Sequence, residues 1–263
     1  MKNIASVCAL LSLIVLGSNL TGCKNEDTQP EQPEIAVTNS YLQCVVSDLS
    51  QGQAKILCLT PPGMCPGHFD ISPSQVSQLA NCKLLLRFDF QKSIDQALAR
   101  MKDRGLKIGS VRDLPGLCVP GTYLNICRDV CDFLSSEYPN RSAEYNQRLK
   151  LIEKRLDNLS KELLDQVKRA DLESTKVLAS VHQAEFCKWL GLDVIATFTS
   201  SDIETVSNIN QCLQKARGKQ IRFIIANKQE GTALANALAE RLEATVVVFS
   251  NFPQINSHPN NFD

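Results

Sequence analysis

SAEYNQRLKLIEKRLDNLSKELLDQVKRA, residues 142–170, contains neither glycine nor proline. Leu149, Ile152, Leu156, Leu159, Leu163 and Val167 recur at steps of three and four, which places them on one face of a helix. Such a helix would run roughly 40 Å at 1.5 Å per residue. It can serve as a stiff connector between two halves of the chain or as the seam of a coiled-coil dimer. The apolar pattern covers only about three heptads, which favours the connector.

What lies on either side supports that choice. Before it stand the short apolar runs IAVTN (35–39), KILCLT (55–60), KLLLRF (83–88) and LKIGSV (106–111); after it stand KVLASV (176–181), DVIATF (193–198), RFIIAN (222–227) and TVVVFS (245–250). Near-continuous apolar character suits parallel strands covered on both faces. Helical patterns fall between them, near 73–81, 93–104, 121–137, 201–217 and 231–242. The alternation predicts an α/β fold of two lobes, each a mostly parallel β-sheet flanked by helices, linked by one long rigid α-helix. The expected divisions are a lobe over residues 35–140, the linking helix over 141–171 and a second lobe over 172–263.

The first 34 residues read differently. MKNIASVCALLSLIVLGSNLTGC has an early lysine, an apolar run from Val7 to Leu16 and then small and polar residues, the pattern of a secretory signal peptide over 1–22. Leu20-Thr21-Gly22-Cys23 has the form of a bacterial lipobox, which predicts cleavage before Cys23 and acylation of that cysteine. Residues 23–34 are polar and proline-containing, as a flexible tether would be. The expected location is the cell envelope, lipid-anchored and facing the periplasm or the cell exterior. Lys24 after the lipidated cysteine would point toward an outer membrane in a proteobacterium; inner and outer membrane both stay open. The 263 residues carry 28 basic and 28 acidic side chains without a Lys/Arg cluster, which gives no argument for nucleic acid. Eleven cysteines, less Cys8 and the acylated Cys23, leave an odd number. At least one is therefore unpaired within the chain.

In parallel sheets, ligands bind beyond the carboxyl ends of the strands. Cys65 and His68 follow the 55–60 strand, Cys118 follows 106–111, and His182 follows 176–181. Asp202, Asn227 and Asn251 stand at the other exits, whereas His258 sits near the C-terminus, where solvent exposure is expected. Two of only three histidines thus stand at strand exits, one in each half, each with a cysteine nearby. Imidazole and thiolate together suit zinc and could suit copper; two structural histidines are the alternative. No nucleophile–base–acid set or phosphate loop stands out, and Cys127 and Cys131 have the wrong spacing for a thioredoxin-like pair. An enzyme is not expected.

From about Ile35 to the C-terminus, the chain resembles the metal-specific solute-binding proteins of zinc and manganese ABC transporters, the zinc-uptake component A group. IAVTNSYLQCVVSDL is similar to their first strand and helix, and LCLTPPGMCPGHFDISPSQVSQLANCKLLLRF to the loop that bears a first histidine ligand. SVHQAEFCKWLGL resembles the segment of another histidine ligand, with His182 in register, and TVVVFSNFP the final strand. The family's second histidine falls on Gly121 here, within Pro120-Gly121-Thr122-Tyr123-Leu124-Asn125, with Cys118 three residues earlier as a substitute. Positions where many members carry acids hold Asn227 and Asn251, and the histidine-rich loop frequent in zinc members is absent. The resemblance implies a monomer that captures a transition metal between its lobes for an ABC permease. It implies His68 and His182 as ligands, with Cys65 and Cys118 completing a tetrahedral zinc set. Manganese is disfavoured for want of carboxylates. A degenerate member that binds a surface partner without metal is the other reading.

Overall fold

The computed structural model describes residues 33–60 and 71–253. The first half runs β1 (Ile35–Val37), α1 (Ser40–Ser50), β2 (Ile56–Cys58), α2 (Pro73–Gln78), β3 (Leu84–Phe88), the short helices α3 (Ile94–Ala97) and α4 (Ala99–Asp103), β4 (Lys107–Val111) and α5 (Pro120–Glu137). Then comes α6 (Ser142–Arg169). The second half runs β5 (Lys176–Ser180), α7 (Ala184–Trp189), β6 (Asp193–Phe198), α8 (Val206–Ala216), β7 (Phe223–Asn227), α9 (Ala233–Leu242) and β8 (Thr245–Phe249). Each half forms a four-stranded sheet with parallel pairing throughout, in the orders β2-β1-β3-β4 and β6-β5-β7-β8. The expected two-lobe α/β architecture is what the chain adopts.

Strand side chains alternate between faces, so each sheet feeds two cores. In the first, Ile35, Val37, Leu84 and Leu86 pack with α1, α5 and α6, whereas Ala36 and Leu85 join the core that contains Leu79 and Leu98. In the second, Leu178 and Ile224 pack with Cys212 of α8 and Leu238 of α9, while Val177 and Ile225 face Cys187 of α7. This two-sided burial explains why the strands read as unbroken apolar runs.

The long helix spans 28 residues, about 42 Å. Proline opens the Pro139–Arg141 turn, which ends α5 and redirects the chain. Tyr145, Ile152 and Leu156 are buried and Leu149 and Leu159 half-buried, all against the first sheet's core. That part of the stripe is therefore occupied within the chain rather than by a second copy. A buried carboxylate fixes the helix as well. Asp48 of α1 accepts from Arg155 Nη2 of α6 at 2.7 Å and from Tyr123 Oη of α5 at 2.8 Å, and Arg148 Nε donates to the Asp48 carbonyl at 3.1 Å.

A second ion pair holds the exits of β3 and β4. Buried Arg87 grips Asp95 with two bonds, at 2.6 and 2.7 Å, and reaches Ser110 Oγ at 2.7 Å. Arg87 holds the Asp95 carboxyl below its usual range, chiefly through that hydrogen bond. Thr38 Oγ1 donates to buried Gln91, whose oxygen also accepts from the Phe88 N–H, which sets the Asp89–Gln91 turn in place. The eight cysteines among the described residues are all free thiols, six of them buried. No described helix is long and apolar enough to cross a membrane.

Candidate functional site

Where the carboxyl ends of both sheets meet, a cavity of about 490 Å³ opens between the lobes. The first lobe contributes Phe90 and the β4 exit loop from Asp113 to Leu117, and the second contributes Val181, His182, Asn227 and Glu230. Phe252, past the end of β8, crosses back and is buried in the first lobe's core. The 113–117 loop is pinned by Tyr41, whose Oη donates to the Leu117 carbonyl at 3.0 Å.

His182 leaves β5 at its exit, and its N–H donates to the buried Ser180 hydroxyl at 3.2 Å. Its Nδ1 lies 2.7 Å from Glu230 Oε1, and the other oxygen of Glu230 accepts from Ser180 Oγ. A carboxylate only accepts, so Nδ1 carries the proton and Nε2 keeps its lone pair for the cleft. The bond to Glu230 raises the His182 pKa above the ordinary 6.5 against the opposing effect of burial, and Asp113 adds to the rise. Glu230 reaches this place through the one-turn helix Lys228–Glu230 after β7. Gly231, at φ 76°, then turns the chain toward α9.

Behind the histidine lies a buried amide cluster. Gln183 is fully buried, and its Nε2 donates to Asn251 Oδ1 at 2.8 Å and Asn227 Oδ1 at 3.3 Å. Asn251 Oδ1 also accepts from Cys118 Sγ at 3.3 Å, and the Ser250 carbonyl lies 3.5 Å from the same sulfur. The cluster thus ties the exits of β5, β7 and β8 to the first lobe through Cys118. Burial pushes the Cys118 thiol up to about 11, so it stands protonated as a donor. Zinc takes thiolate, so Cys118 would have to lose both its proton and its bond to Asn251 before acting as a ligand.

The sequence-predicted site residues therefore divide. His182 is on the cleft wall and Cys118 is in the amide cluster behind it. Cys65 and His68 lie outside the described residues, as do Cys23 and His258. Asp202 is exposed in the turn after β6. Sequence reading missed Glu230 and Asp113, two acidic residues in the cleft lining; the ligand set expected from sequence contained no carboxylate. Among the described residues, no three His, Cys, Asp or Glu side chains are close enough together to hold a metal ion by themselves.

The seam between the lobes is tight at Gly116. It adopts φ +74°, and a Cβ there would sit 2.9 Å from Glu185 Cβ of α7 and 2.9 Å from Val119 Cγ2. Gly116→Ala is expected to cost about 2 kcal/mol in urea denaturation, from overpacking added to a strained backbone. A loss below about 0.5 kcal/mol would show that the loop shifts freely from α7.

The family described as ZnuA: Zinc-uptake complex component A periplasmic matches residues 120–262, more than half of the chain. No curated protein sequence matches. A crystal structure of ZnuA superposes with a TM-score of 0.71 at 15% identity, covering 85% of this chain and 92% of that one. The Mn-bound periplasmic metal-binding protein of Candidatus Liberibacter asiaticus gives 0.71 at 13% identity over 86% and 91%. The solute-binding protein FpvC of Pseudomonas aeruginosa, in complex with Mn2+, gives 0.70 at 12% identity over 87% and 92%. At such identities these structures speak for the fold.

Proposed function

The chain belongs to the ZnuA family of zinc-uptake complex component A periplasmic proteins, and from that premise we propose that it is a lipid-anchored extracytoplasmic protein that captures a divalent transition metal, zinc in preference, for an ABC importer. Its family makes it a binding protein of metal transport, not an enzyme. The observation that carries the reading is the His182–Glu230 pair on the cleft wall, with the imidazole's second nitrogen left for a ligand. Neighbours of the same fold include Mn-bound and Cd-bound periplasmic metal-binding proteins and a ZnuA deletion mutant with zinc bound.

His182 Nε2 is the first proposed ligand. His68 and Cys65 follow from the family resemblance, and Cys118 joins only if it gives up its proton and its bond to Asn251. Glu230 orients His182 and adds negative charge beside the metal. Asp113 does the latter from the other lobe. Capture needs no bond chemistry: the ligands lose protons, the metal loses water, and release to the permease reverses both. The acyl anchor at Cys23, the permease partner and the monomeric state rest on sequence and family. One observation favours the alternative, a member that keeps the fold and binds a surface partner without metal: Cys118 is bonded into the amide cluster.

The pH dependence of zinc affinity tests the ligand role of His182. A proton competes with the metal at the imidazole, so affinity falls as pH drops through the histidine's pKa, which Glu230 holds above 6.5. Glu230→Gln removes the main cause of that rise. Its affinity loss should begin at lower pH, while affinity near pH 8 falls by about 10- to 100-fold. Identical pH profiles in wild type and variant, by chelator competition, would remove His182 from the site.

A further inference from the structure

A bare divalent ion with four donors at 2.0–2.3 Å fills only a small part of a cavity of about 490 Å³. That volume lies instead within the roughly 300–1,000 Å³ range of small-organic sites. The walls match that scale. Phe90, stacked on buried Phe88 at 5.5 Å between ring centroids, is 43% exposed, and Val181 across the cleft is 40% exposed. Leu114 and Leu117 continue the apolar lining from the first lobe. The metal-ligating group, His182, stands among them with the carboxylates of Glu230 and Asp113, which favour a cationic occupant.

Resting on the metal-capture reading above, we propose that the cargo enters this cleft as a metal chelate. The ion arrives already bound by a small amino-acid-type ligand, whose organic body fills the apolar part of the cavity while His182 Nε2 supplies a protein bond to the metal. The carboxylate pair selects an amine-bearing chelate over a polycarboxylate one. Asn227 lines the same wall and offers an amide to the chelate's polar end. Each protein donor that binds, His182 Nε2 first, replaces one water on the metal, and the bonds between the metal and its small ligand are kept.

Native mass spectrometry of the whole protein with zinc(II) and L-histidine tests this, alongside zinc affinity measured at matched free zinc with and without histidine. The expected adduct carries zinc and histidine together, and histidine tightens zinc binding at least ten-fold. Citrate gives neither result. Phe90→Ala, exposed and away from the metal donors, should lose the histidine gain and keep the affinity for zinc alone. An adduct of zinc only, with an affinity that histidine does not change, overturns the chelate while leaving metal capture intact. An equal gain with citrate overturns the charge selection. A gain that survives Phe90→Ala overturns the placement in this cavity. No zinc adduct under any condition overturns the metal-capture reading itself.

Discussion

Replacing His182 by alanine is expected to weaken zinc binding by about 100-fold or more, because losing a ligand should exceed the 10- to 100-fold cost of losing a group that merely orients one. The side chain is 57% exposed and bonds to Glu230 through Nδ1. The fold should therefore survive, with a stability change within about 0.5 kcal/mol, as for surface substitutions generally. Glu230 keeps its bond from Ser180 in the variant. Chelator competition and a urea melt on the same preparation give both numbers. An unchanged dissociation constant in a folded variant would mean that the cleft histidine is structural.

Removing the buried carboxylate at Asp48 should act on stability instead. Asp48→Ala deletes the acceptor that Arg155 of the long helix and Tyr123 of α5 share. Breaking a buried pair by removing one partner costs about 3–5 kcal/mol. The lower end, about 3 kcal/mol, applies here, because Arg155 is 27% exposed and can recover some hydration. That is a large share of the 5–15 kcal/mol that holds a typical domain. A loss under about 1 kcal/mol would mean that Ile152 and Leu156 alone seat the helix. Zinc affinity in whatever fraction stays folded should be unchanged, since Asp48 lies in the first lobe's core and not on the cleft.

Much of the fold was legible because its signals are local. The strands are buried on both faces, so their apolar runs stand out. The long helix showed itself by a stripe without glycine or proline, and the burial of Tyr145, Ile152 and Leu156 gives that stripe its cause. The stripe's last residues, Leu163 and Val167, are only half-buried. Less legible was residues 93–104, expected as one helical pattern and found as two short helices that meet at Leu98, whose backbone leaves the helical region at φ −99°, ψ 5°. Asp95 in the first of them is held by Arg87, a partner in β3. No periodicity announces such a pairing.

The site was legible only in part, for a geometric reason. The place of His182 on the cleft wall could be read because the residue stands at a strand exit. Glu230 was missed because the family resemblance directs attention to the strand's last residue, Asn227, while the carboxylate bonded to His182 comes three residues later, around one turn of 3₁₀ helix. An acid within one turn of a strand exit is the signal that could have found it, and Asp113, two residues past β4, carries the same signal. Cys118 shows the converse. Its position beyond a strand gave no sign that its sulfur would be bonded to Asn251, a residue 133 positions away.

Elemental analysis of protein purified without chelators shows whether each chain captures one transition-metal ion. Close to one equivalent of divalent metal, zinc foremost, is expected, lost on dialysis at acid pH and restored by zinc at neutral pH. Protein that carries no metal and takes up none from zinc-containing buffer, while its far-ultraviolet spectrum shows the native fold, would contradict it.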